Sequence, residues 1–136
     1  RNRHDIKVYC EDELLLAKMD AKLIVQVIIN LVDNAIKYTP YGTSIHIVAK
    51  KESKAVAVNV IDNGPGIPKE IKPRVFDMFY IGENKVADSR RSLGLGLALC
   101  KSIINAHGGK ITLTDNQPQG CNFTFMLPLE EVRIDE

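Results

Sequence analysis

The sequence predicts an α+β fold, a sheet of short strands with helices packed on one face, and three observations lead there. Two long segments, residues 20–38 and 94–107, carry apolar side chains at the three- and four-residue spacing of amphipathic helices. Short runs of alternating β-branched residues surround them, with the two-residue period of strands. Clusters of Gly, Pro, Asn and Asp separate the two kinds of segment. Elements that are each apolar on one side are satisfied by stacking in two layers.

In order along the chain, residues 6–10 and 14–19 read as two short strands around the acidic turn Glu11-Asp12-Glu13. Asp20 then caps a helix running to about Tyr38. Its apolar face is Leu23, Ile24, Val27, Ile28, Leu31, Val32, Ala35 and Ile36. Thr39-Pro40-Tyr41-Gly42 ends it, because proline cannot continue a helix. Residues 43–50 and 55–61 make a hairpin about the polar turn 51–54, and Asp62-Asn63-Gly64-Pro65-Gly66 breaks the second strand abruptly. A short helix is expected near residues 69–73 and a turn near 76–79. Residues 81–92 are polar, charged and aperiodic, the pattern of a mobile loop. The second helix, 94–107, stops at Gly108-Gly109 in a left-handed cap. Residues 110–115 and 122–127 close the fold as a last hairpin.

Composition narrows the function. The 136 residues fit one domain. A hydrophobic share of 45% and a charged share of 26% are those of a soluble globular protein, and a net charge of +1 gives no strong drive toward nucleic acid or an anionic membrane. Cys10, Cys100 and Cys121 are odd in number and lack C-x-x-C spacing, so they read as free thiols in a reducing compartment. No run approaches the roughly 20 apolar residues of a membrane span. The chain starts on Arg1 and reads as an excised piece of a larger protein, with no direct membrane contact of its own.

Three stretches carry candidate chemistry. Asn30, Asn34, Lys37 and Tyr38 fall on adjoining parts of one helix surface. Two carboxamides and an ammonium there offer an oxygen for a hard cation and a charge for phosphate, although a solvated helix face reads equally well. In Asp62-Asn63-Gly64-Pro65-Gly66-Ile67, two glycines allow a flat ligand to approach and an acceptor-only aspartate suits an exocyclic amine; an ordinary β-turn is the plainer reading. Ser92-Leu93-Gly94-Leu95-Gly96-Leu97 opens a helix whose unpaired N–H groups favour an anion, with Lys85, Arg90 and Arg91 just before it. The Lys-Ser/Thr pair of a Walker P-loop is absent.

Together, in this order, the stretches resemble a known family. NLVDNAIKYTP is similar to the N box of sensor histidine kinases, DNGPGI to the G1 box, RVFDMFY to the F box and LGLGLALCKSIINAHGG to the G2 box. The stretch ADSRRSLGLGLALCKSI looks most like the KdpD group of potassium-responsive sensor kinases. The resemblance implies a Bergerat-type two-layer sandwich with a mixed, mostly antiparallel sheet and an ATP lid at about 81–92. It implies ATP and Mg²⁺ as ligands, the ion on Asn34 with Asn30 beside it and Lys37 on phosphate. Tyr38, Asp62, Gly64, Gly66 and Ile67 would surround the adenine, with Cys121 supporting Asp62. Ser92, Leu93, Gly94, Leu95, Gly96 and Leu97 would hold the phosphates, helped by Lys85, Arg90 and Arg91, with Phe76 and Phe79 anchoring the lid. The implied partners are a dimerisation domain bearing the acceptor histidine and a response regulator. The implied location is the cytoplasmic side of a bacterial membrane protein.

ATPases of this superfamily place a water-activating glutamate four residues before the magnesium asparagine. Asn30 stands there, an amide that is no general base, which favours phosphoryl transfer over hydrolysis. His4, His46 and His107 lie in no phosphoacceptor pattern; His107 is expected to serve structure, as a cation beside a helix C-terminus. Three departures from the family pattern stand out: Leu93 for a first glycine, Ile81 for an arginine after the aromatic, and Cys121 for a serine or threonine. They leave open a nucleotide-sensing module without transfer, or a serine kinase of the anti-sigma type.

Overall fold

The computed structural model describes residues 5–10, 20–40, 42–77 and 95–129, with the backbone alone at Asp5, Tyr9, Cys10, Ala21, Tyr38 and Leu95. Among the described residues five strands form one sheet: β1 (Asp5–Cys10), β2 (Ser44–Glu52), β3 (Ala55–Asp62), β4 (Lys110–Asp115) and β5 (Cys121–Pro128). Their order is β1-β2-β3-β5-β4, with β1 parallel to β2 and every other pair antiparallel. Helices α1 (Ala21–Tyr38) and α2 (Leu95–Ala106) lie on one face, so the sandwich read from the sequence stands. The strand expected at 14–19 lies outside the described residues.

α1 begins where its cap requires. Asp20 Oδ1 accepts from Lys22 N at 3.1 Å and Leu23 N at 3.3 Å, which satisfies two of the first-turn donors. The helix sinks Ile24, Val27, Leu31 and Ala35 into the core and leaves Val25 and Ile29 outside. At its end the Thr39 hydroxyl donates back to Ala35 O at 2.6 Å, and Pro40 stops the run. The expected short helix is a 3₁₀ turn at Lys72–Arg74, and Phe76 meets Phe123 edge-on at 6.0 Å between ring centres.

α2 ends as predicted at Gly108, whose φ of +77° is the left-handed cap, with Gly109 N donating to Ile104 O at 3.0 Å. His107 ties this end to the start of α1. Its Nδ1 faces Ile103 O at 2.8 Å and so donates, and its Nε2 accepts from Asp20 N at 3.0 Å. The ring thus bridges the end of α2 and the start of α1, a structural role as expected, made by hydrogen bonds to backbone. The two helices therefore run antiparallel.

Register sorts the inner face into rows. Ile47, Val60, Phe123 and Leu113 stand abreast, as do Ala49, Val58, Phe125 and Ile111. β5 alternates strictly, burying Cys121, Phe123, Phe125 and Leu127. The row at the sheet's end differs in chemistry: Ile45, Asp62, Cys121 and Asp115. An aspartate thus takes a core-facing position where the apolar rows stop.

Candidate functional site

Three segments far apart in sequence meet at this end of the sheet. α1 leaves through Thr39 directly against the turn that follows β3. A Cβ on Gly64 would stand 2.6 Å from Thr39 Cγ2, so glycine is what permits the approach. Ser44 N donates to Asn63 Oδ1 at 2.9 Å and Asn63 N to Ser44 O at 3.3 Å, which fastens the turn to β2. The third segment is the start of α2. The Cys100 thiol lies 3.8 Å from Val27 O. Leu95 is one helical turn and a half earlier, about 7.5 Å along the axis. Antiparallel packing places that first turn toward the C-terminal half of α1.

Asp62 is the buried charge of the site, only 5% exposed. Its Oδ1 accepts from Gly64 N at 2.9 Å and from Cys121 N at 3.3 Å, while Oδ2 has no partner among the described residues. A buried acceptor without a donor is costly, and an N–H brought from outside would satisfy it. Across from it, the Cys121 thiol is pushed up to about 12 by burial first, then by the Asp62 and Asp115 carboxylates on either side, and it stays protonated.

The α1 residues divide. Asn34 is partly buried and its carboxamide makes no hydrogen bond among the described residues, as a free ligand to a hard cation would. The Asn30 carbonyl is occupied by Gln26 Nε2 at 3.0 Å, and its amide also meets the Cys100 thiol, which burial pushes up to about 11. Lys37 pairs with Asp33 at 3.2 Å, both partly exposed, a contact of a few tenths of a kcal/mol that an incoming phosphate can displace. Gly66 has a φ of +87°, and Ile67 and Leu97 pack partly buried at the margin of the core. Gly96 lies one residue inside α2.

The backbones of Tyr38 and Leu95 end α1 and begin α2. Phe79, Lys85, Arg90, Arg91, Ser92, Leu93, Gly94 and the loop 81–92 lie outside the described residues. A surface hollow of about 560 Å³ opens behind the turn, lined by Pro40, Gly42, Thr43, Asn63, Gly64, Pro65 and Gln119. It shares Gly64 with the site but is lined by neither Asn34 nor Asp62. Sequence reasoning missed Gln26, Thr39, Asn116, Gln119 and Gly120. The i,i+4 spacing of Gln26 and Asn30 was a legible signal; the last three contact Asp62 or Asn63 across more than fifty residues and carried none.

Comparison with known proteins bears on the family and the fold. Residues 19–131 match the family model described as histidine kinase-, DNA gyrase B-, and HSP90-like ATPase. The sensor protein KdpD of Clostridium acetobutylicum is 46% identical over 127 residues, which is 93% of this chain and 14% of that protein. Thus the chain spans a small part of that relative. The nucleotide-free catalytic domain of histidine kinase ThkA superposes with a TM-score of 0.79 at 35% identity, over 93% of this chain and 79% of that one. A crystal structure of ThkA with the response regulator TrrA gives 0.74 at 35% identity, over 92% of this chain and 34% of that one.

Proposed function

Since this chain belongs to the histidine kinase-, DNA gyrase B- and HSP90-like ATPase family, we propose that it binds Mg–ATP where α1, the β3 turn and α2 meet, and donates the γ-phosphate to a histidine on a separate dimerisation domain. The observation that carries the reading is Asp62, a buried carboxylate with one oxygen fixed by two backbone donors and the other unpartnered among the described residues. The 6-amino group of adenine is the donor that such an acceptor selects. Asn34 and the start of α2 then face the triphosphate, with Lys37 released from Asp33 to join them.

Asn34 offers a neutral oxygen, unpartnered among the described residues, that fits Mg²⁺, and the ion when bound would supply charge compensation on the phosphates. The chain's own residues do the remaining work. Asp62 orients the purine, the α2 N-terminus draws the anionic tail, and Lys37 adds a point charge. Asn30, its carbonyl already held by Gln26, withdraws no proton from water, so the γ-phosphate is kept for an in-line nucleophile from elsewhere. The KdpD similarity supports a potassium- or turgor-responsive parent anchored in a bacterial membrane, with this domain on the cytoplasmic side. The ThkA–TrrA structure supports a response regulator as the next acceptor.

The test joins this domain to a helical hairpin carrying an acceptor histidine and supplies radiolabelled ATP. Acid-labile, base-stable phosphate on that histidine is the expected product. Acid-stable phosphate on serine, or tight binding with no transfer, contradicts the reading.

A further inference from the structure

β3 keeps its pairing with β2 as far as Asp62, but its ladder to β5 stops at Ile61, so the last carbonyls on that side leave the ladder. The turn between β4 and β5 takes them. Asn116 Nδ2 donates to Asp62 O at 3.0 Å, and Gln119 Nε2 donates to Asn63 O at 3.0 Å. The turn is closed on itself by Asn116 N donating to Gly120 O at 2.9 Å. Gly120, at a φ of +112°, lies so close that a Cβ there would stand 1.9 Å from Asp62 O. The next residue supplies Cys121 N to Asp62 Oδ1 at 3.3 Å. Lys72 reaches back to Asp115 at 2.6 Å, binding the segment beyond the glycine turn to the same place.

We infer that the β4–β5 turn sets purine selectivity, with Asn116 and Gln119 as positioning residues that hold Asp62 through its backbone. This rests on the reading of Asp62 as the purine-binding group. Their side chains point at carbonyls of the turn, so they act through Asp62 and touch no ligand. One carboxylate oxygen discriminates an amino from an oxo purine only if held to about half an ångström, and β2 holds this strand end on one side only, through Ile45 and Ser44, leaving the β5 side to Asn116 and Gln119.

The experiment titrates Mg–ATP, Mg–ITP and Mg–tripolyphosphate by calorimetry into the wild-type chain, Asn116→Ala, Gln119→Ala, Asp62→Asn and the Asn116→Ala/Asp62→Asn double variant. Thermal melts establish that each is folded; Gln119 is exposed, so its variant provides a second arm should Asn116→Ala not fold. Each clamp variant is expected to weaken Mg–ATP about 3- to 10-fold and lower the ATP-to-ITP ratio, with tripolyphosphate unchanged. In the Asp62→Asn background the Asn116→Ala effect should vanish. Unchanged ATP affinity, an equal loss for tripolyphosphate, or full additivity with Asp62→Asn overturns the inference while leaving the purine reading intact. A wild-type affinity indifferent to Asp62→Asn overturns both.

Discussion

Asp62→Asn replaces one atom, and the structure fixes which. Gly64 N and Cys121 N both donate to Oδ1, so the asparagine carbonyl must occupy that position. Its NH₂ is forced to where Oδ2 now stands, without a partner among the described residues. For adenine, donor then faces donor, and the charge-assisted hydrogen bond is lost at a cost of about 1.5–3 kcal/mol. That converts to roughly a 10- to 150-fold weaker Kd for Mg–ATP. For inosine triphosphate the new donor faces the 6-oxo group, so the variant should favour ITP over ATP and invert the wild-type order. Calorimetry with both nucleotides decides it. An ATP affinity within twofold of wild type, or an unaltered ATP-to-ITP preference, would refute the reasoning.

Asn34→Ala removes the proposed ion-binding carboxamide and should cut phosphotransfer by two orders of magnitude or more, while a urea titration shows stability little changed. Phe125 is fully buried in the middle of β5, and Phe125→Ala should cost about 3–5 kcal/mol, read as a lower urea midpoint; a loss under 1 kcal/mol would contradict its place at the centre of the core. With Cys10 replaced by serine, Ellman's reagent near neutral pH should leave Cys100 and Cys121 unlabelled until urea unfolds the chain, because both are buried, protonated thiols. Their folded values of about 11 and about 12 exceed the ordinary 9.0, so the unfolded thiols ionise first. Their contribution to stability is whole below pH 9 and lost as pH climbs toward the folded values, which urea midpoints across that window measure.

What was legible follows from the range of each interaction. The bounds of α1 were readable because Asp20, the apolar spacing and Pro40 act within a turn of the helix. Gly108 announced the end of α2 for the same reason. The glycine–aspartate turn could be named, yet its company could not. Thr39 against Gly64, and Asn116 and Gln119 on the β3 carbonyls, depend on which strands become neighbours. Likewise the parallel pairing of β1 with β2 is a choice of partner that strand periodicity leaves open. His107 shows the same limit: a structural role at a helix end was readable, but its partner, the backbone N–H of Asp20 on the other helix, was not.

A crystal structure of this chain with magnesium and a non-hydrolysable ATP analogue tests the central claim most directly. The adenine amino group should lie within hydrogen-bonding distance of Asp62 Oδ2, with the ion on the Asn34 carboxamide oxygen and the phosphates at the start of α2. A base seated away from Asp62, or an ion that bypasses Asn34, would contradict it.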